Sequence, residues 1–164
     1  MILAIDPGPT HSAYLFMGGD GTIRDFCPKC PNEDLITFIK VREFSRVVIE
    51  EIRCFGMSVG KSTFDTCRWT GRFEEAARSR TIPVPVDWVG RIEVKAFWCR
   101  SAKASDSNVL QSLKDYYGDK GTKKNPGVTY GISEDAWSAL AIAGYWMLKT
   151  FGYEFPPQKT IYAA

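Results

Sequence analysis

Two apolar runs, Ile2-Leu3-Ala4-Ile5 and Val47-Val48-Ile49, each end in acid: Asp6 closes the first, and Glu50-Glu51 the second. The second run is apolar without alternation, which suits a central strand covered on both faces, so the chain needs helices on either side of a sheet. An acid at the end of a buried strand is costly unless something compensates it. A third segment, Ser133-Glu134-Asp135-Ala136-Trp137-Ser138-Ala139-Leu140, sets acids at the head of an apolar helix. Acids drawn from three distant places to the edges of core elements suggest a carboxylate cluster that holds Mg²⁺.

The rest of the chain supplies the layers. Residues 1–27 read as three strands, Ile2–Asp6, Ser12–Met17 and Thr22–Phe26, with Gly18-Gly19-Asp20-Gly21 as a hairpin between the last two. Pro31-Asn32-Glu33-Asp34 starts a helix whose Leu35, Ile36 and Ile39 form an apolar stripe. Arg46–Ile52 is the fourth strand, and residues 63–79 form the next helix. Pro83–Val86 reads as a short edge strand because of its prolines. Helices over Arg91–Trp98 and Asp106–Tyr117, a Gly- and Lys-rich loop over 118–131 and a last helix capped by Ser133 complete the pattern. The expected architecture is one α/β domain over residues 1–164, a mixed five-stranded sheet with helices on both faces.

Composition excludes several classes. No apolar run approaches the roughly 20 residues of a membrane span, and no signal-peptide pattern opens the chain, so the expectation is a cytoplasmic protein with no membrane contact. The five cysteines are odd in number and scattered, which reads as reduced thiols. Cys27-Pro28-Lys29-Cys30 has metal-ligand spacing, but a zinc site needs further ligands and His11 is the only histidine. The pair therefore reads as chance at a strand-to-helix turn. The net charge of +2 hides a separation: residues 53–80 carry six basic and three acidic side chains, and residues 91–124 carry eight and four. Basic segments beside an acidic remainder suit an enzyme that grips a polyanion near a metal site, although exposed helices carry the same residues.

Geometry limits which acids can meet. In Arg46–Ile52 the residues Val48, Glu50 and Ile52 share one face and Glu51 takes the other, so only one glutamate points at a common site. On the last helix Asp135, Ser138, Ala139, Ile142 and Trp146 form a sheet-facing stripe, with Glu134 about 100° away. Asp6, one of the two glutamates and Asp135 can then converge where two strand ends meet a helix start.

These residues carry a resemblance. Ile5-Asp6-Pro7-Gly8, Val48-Ile49-Glu50 and Asp135-Ala136-Trp137-Ser138-Ala139-Leu140-Ala141, in that order, resemble the RuvC-type Holliday-junction resolvases. The likeness is to the compact RuvC-like proteins of phages and prophages, and it spans most of the chain. Ser101-Ala102-Lys103-Ala104-Ser105-Asp106 and Gly121-Thr122-Lys123-Lys124-Asn125-Pro126-Gly127 also resemble that group. The resemblance implies a ribonuclease-H-like fold and a homodimer matched to a two-fold junction. It also implies Asp6, Glu50 and Asp135 as metal-binding catalytic residues, with Glu50 chosen over Glu51. Mg²⁺, for which Mn²⁺ can substitute, is the implied cofactor. One departure stands out: the family carries a further acid one turn after the position of Asp135, and here that position is Ser138. A serine can accept a hydrogen bond from a metal-bound water but brings no charge.

Phosphate contacts need cations and exposed backbone. Lys120, Lys123 and Lys124 lie just before the catalytic helix, Arg100 and Lys103 sit in a second polar segment, and Arg53 and Lys61 flank the loop after Glu50. The resemblance brings in an aromatic from that loop to contact bases, and Phe55 is the nearest one; an aromatic there can stack on bases or cap the core. The leading expectation is a Mg²⁺-dependent endodeoxyribonuclease that resolves Holliday junctions. Two alternatives keep the fold: a nuclease acting on forks or RNA–DNA hybrids, and a branched-DNA-binding protein whose catalysis weakened at Ser138.

Overall fold

The computed structural model describes residues 1–54, 56 and 58–152 of the chain. Five strands, β1 (Ile2–Asp6), β2 (His11–Met17), β3 (Ile23–Pro31), β4 (Arg46–Glu51) and β5 (Val86–Gly90), form one sheet in the order β3-β2-β1-β4-β5. β1 pairs antiparallel with β2 and parallel with β4; β2–β3 is antiparallel and β4–β5 parallel, so the sheet is mixed.

Alternation along the two central strands divides the core. Leu3, Ile5, Val47 and Ile49 point to one face, where α1 (Asn32–Val41) and α2 (Lys61–Arg78) cover them with Leu35, Ile39, Phe73 and Ala77. Ile2, Ala4 and Val48 point to the other face, against α5 (Ala136–Phe151), with α3 (Arg91–Cys99) and α4 (Asp106–Tyr117) packed behind it. Both faces are covered, as the unbroken apolar run at 47–49 demands. Each fully buried Leu, Ile or Phe contributes roughly 1.5–3 kcal/mol of transfer free energy, enough to fix the register of both strands.

The last helix departs from a simple stripe. Ala139 to Tyr145 are buried without a break, because α5 lies between the sheet and the α3–α4 pair. Small residues permit that approach: a Cβ on Gly144 would come within 2.8 Å of the Trp98 ring and 2.9 Å of the Tyr117 hydroxyl. Trp98 in turn donates its indole N–H to the Ala141 carbonyl at 2.9 Å.

Three expected boundaries are corrected. The fifth strand is Val86–Gly90, not Pro83–Val86; it is an edge strand, but the prolines precede it. The Cys27–Cys30 segment lies inside β3 rather than at a turn, and the register slips between Ser12 and Tyr14, so Pro28 and Lys29 form a bulge. An edge strand tolerates a proline there because its missing N–H costs no ladder bond, and both cysteines are free thiols. Asp135, not Ser133, stands at the N-cap of α5, after a turn in which Glu134 takes the left-handed φ of 46°. Among the described residues no helix is long and apolar enough to cross a membrane.

Candidate active site

Asp6 ends β1 on the same face as Ile2 and Ala4, and Glu50 lies near the end of β4 on the face of Val48. The parallel register pairs Ile5 with Ile49, so one further step sets Asp6 beside Glu50 on adjacent strands. α5 packs on that face and begins at Asp135. Asp6 and Glu50 thus lie side by side at the ends of two central strands, and Asp135, exposed at the N-cap of α5, stands near enough to act on Asp6. Glu51 takes the other face, where it is half-exposed and pairs with Arg53.

The turn after Asp6 is pinned by a buried network. Ser12 Oγ accepts from the Gly8 N–H at 3.1 Å and donates to Asn32 Oδ1 at 2.7 Å, while Asn32 Nδ2 donates to the Gly8 carbonyl at 3.0 Å. Ser12 and Asn32 are almost wholly buried. Gly8 is required here: a Cβ would lie 2.2 Å from the His11 carbonyl oxygen. The network closes the chain tightly behind the strand and fixes where Asp6 points.

Burial sets the electrostatics. Asp6 is pushed up to about 7, first by burial, then by the neighbouring Glu50 charge, with Asp135 adding to it; Arg91 and a hydrogen bond from Ser138 oppose the shift. Glu50 is also raised by burial, and Arg91 counters. Arg91 heads α3 immediately after β5 and donates from Nη1 to Glu50 Oε1 at 3.1 Å and Oε2 at 3.3 Å. Its other terminal nitrogen lies 2.8 Å from Asp106, which also meets Lys95 at 3.1 Å. These two cations hold Asp106 below the usual carboxylate range despite its partial burial.

A hard divalent cation suits this donor set, since it consists of carboxylate oxygens, two of them raised by burial and stabilised as anions by positive charge. Among the described residues, however, no three His, Cys, Asp or Glu side chains are already gathered tightly enough to hold a metal. Glu50 is instead turned toward Arg91.

The expected nucleic-acid contacts are dispersed. Lys120, Lys123 and Lys124 are exposed in a tight loop, closed where the Thr122 and Asn125 backbones exchange hydrogen bonds and Gly127 N–H reaches the Lys120 carbonyl. Arg100, in a left-handed C-cap with φ 54°, and Lys103 are exposed after α3, and Lys61 is exposed at the start of α2. Arg53 is not a free cation, because Glu51 and Glu93 engage it. Phe55 lies outside the described residues. Sequence reasoning missed Arg91, Lys95, Asp106, Ser12 and Asn32. One signal was available for Arg91: a cation at the first position of a helix opposes the helix dipole and calls for a nearby acid.

No family model and no curated protein matches the sequence. Solved structures do. Thermus thermophilus RuvC superposes with a TM-score of 0.59 at 19% identity, over 92% of this chain and 96% of that one. T. thermophilus RuvC in complex with Holliday junction substrate superposes with a TM-score of 0.64 at 20% identity, over 92% and 95%. The mixed five-stranded sheet with helices on both faces is therefore a ribonuclease-H-like fold, the fold of RuvC.

Proposed function

We propose that this chain is a divalent-metal-dependent endonuclease that nicks branched DNA, with the four-way Holliday junction as its substrate. The observation that carries the reading is Asp6 beside Glu50 at the ends of adjacent parallel strands, with Asp135 near enough to act on Asp6, in a sheet with the RuvC fold. The similar structure solved on a Holliday junction supports the choice of substrate.

Asp6 and Asp135 would hold Mg²⁺ or Mn²⁺, beside Glu50, the third acid of the expected set, whose oxygens Arg91 engages. Such an ion, when bound, lowers the pKa of a water and neutralises charge on a phosphate. Asp6 has the tuning for this role: it stays partly protonated near neutral pH and favours its anion when a cation arrives. The Gly8–Ser12–Asn32 network keeps its carboxylate in place, and Ser138 contributes a hydroxyl where a fourth acid would add charge. Lys120, Lys123, Lys124, Lys103 and Arg100 would take the DNA backbone, a salt-sensitive contact. A junction has two equivalent strands to cut, so two copies related by a two-fold axis fit it; exposed Phe64 on α2 supports that helix as the contact.

The test is a substrate panel with Mg²⁺: a synthetic four-way junction, a fork, a linear duplex and an RNA–DNA hybrid. Cutting of the junction in preference to the others supports the reading, and cutting of the hybrid alone overturns it. Tight junction binding without cutting would favour the second reading, a branched-DNA-binding protein; Ser138 and the Arg91–Glu50 pair are the features that support it.

A further inference from the structure

Four charged side chains form a row beside the candidate site: Glu50, Arg91, Asp106 and Lys95. All four line a small recess of about 50 Å³ together with Ser138 on α5. Arg91 engages both oxygens of Glu50 through Nη1 and Asp106 through Nη2, so one guanidinium occupies two carboxylates at once. Lys95 lies one helical turn beyond Arg91 on the same face of α3 and holds the other oxygen of Asp106.

The opposite side of the cluster differs. Asp6 and Asp135 line a roomier cleft of about 230 Å³ beside the Pro7–Ser12 turn; Lys29 is the cation in its lining, and it is not paired with either acid. A divalent ion on the Glu50 side must displace a guanidinium from both Glu50 oxygens, whereas on the other side, among the described residues, neither Asp6 nor Asp135 is held in an ion pair, although Arg91 lies close enough to act on Asp6 through space. Ser138, where a carboxylate could have tipped the balance, brings no charge. An arginine cannot be deprotonated at working pH, so the competing charge is permanent.

We propose that Arg91 is the resident cation of the Glu50 side, that the site therefore takes a single divalent ion on the Asp6–Asp135 side, and that Arg91 supplies the second positive charge facing a bound phosphate. This rests on the metal-dependent nuclease reading above. The guanidinium has the means: it is 43% exposed and has five N–H donors, of which Glu50 and Asp106 occupy only part.

The probe is Mn²⁺ alone, without DNA, titrated into the full chain and counted by calorimetry and electron paramagnetic resonance. One ion per wild-type chain is expected. Arg91→Met frees the Glu50 and Asp106 carboxylates together and is expected to admit a second ion, while Arg91→Lys, which keeps the charge, stays at one. Two ions in the wild type, or an Arg91→Met chain that binds as the wild type does, would overturn the role of Arg91 while leaving the nuclease reading intact. No Mn²⁺ bound by either chain would overturn both. Circular dichroism checks that Arg91→Met folds; if it does not, the wild-type count decides alone.

Discussion

Arg91 donates to both carboxylate oxygens of Glu50, at 3.1 and 3.3 Å, across 41 residues of sequence. The acid is 8% exposed and the guanidinium 43%, so the pair is desolvated mainly on the glutamate side. Removing the cation strands a buried carboxylate. Allowing for solvent screening at the arginine, Arg91→Met is expected to lower the free energy of unfolding by about 1–2 kcal/mol in EDTA. Added Mg²⁺ should recover part of it. Urea denaturation checks this, and an unchanged midpoint in EDTA would contradict the pairing.

Asp6 makes stability depend on pH. Its folded-state value of about 7 lies above the ordinary 3.8, so the folded chain keeps a proton that the unfolded chain releases. Its contribution to stability is therefore present below about pH 4 and is lost as pH rises through about 7. Without divalent ions, Asp6→Asn should be more stable than the wild type at pH 8 by about 1–3 kcal/mol, and nearly equal to it at pH 4. Thermal melts at the two pH values in EDTA give the comparison. A wild type that gains stability over the variant with rising pH would contradict the assigned environment.

Ser138, in the first turn of α5, is near enough to Asp6 for its hydroxyl to favour the Asp6 anion. Ser138→Asp places a further anion beside a carboxylate already raised by its neighbours. In EDTA the variant should melt lower than the wild type; with Mn²⁺ its affinity should rise on the order of tenfold, and junction cleavage should persist or increase. Titration calorimetry and a cleavage time course measure both. A large loss of cleavage would show that the hydroxyl has a role of its own.

Asn32 ties the start of α1 to the turn behind Asp6. Asn32→Ala leaves the buried Ser12 hydroxyl and Gly8 carbonyl without this partner, at an expected cost of about 1–3 kcal/mol. Cleavage should fall more than junction binding, because Asp6 loses its aim while the lysines proposed to meet the DNA backbone stay where they are. Equal losses in both would contradict a positioning role.

The legible part of this fold is the part written in local pattern. Val47-Val48-Ile49 announces a strand buried on both faces, and alternation alone separates Glu50 from Glu51. Asp6 and Asp135 followed from their places at the ends of apolar segments. Arg91 did not, because its meaning depends on β5 running parallel to β4, so that the residue after Gly90 arrives beside Glu50. Ser12 and Asn32 were illegible for the same reason: their contact spans 20 residues and no motif marks it. The local pattern sets the fifth strand too early, at Pro83–Val86, because it shows the prolines but not the partner; the pairing with β4 begins only at Val86.

The most direct measurement maps the nicks on an immobile four-way junction, each strand end-labelled in turn, with Mg²⁺ and the wild-type chain or its Asp6→Asn and Glu50→Gln variants. The wild type is expected to cut two opposed strands at symmetric positions, and both variants to bind the junction with cleavage reduced by at least about a hundredfold, since they lose carboxylates and keep the phosphate contacts. An Asp6→Asn chain that cuts at the wild-type rate, or a wild type that leaves the junction whole in Mg²⁺ and Mn²⁺, would contradict it.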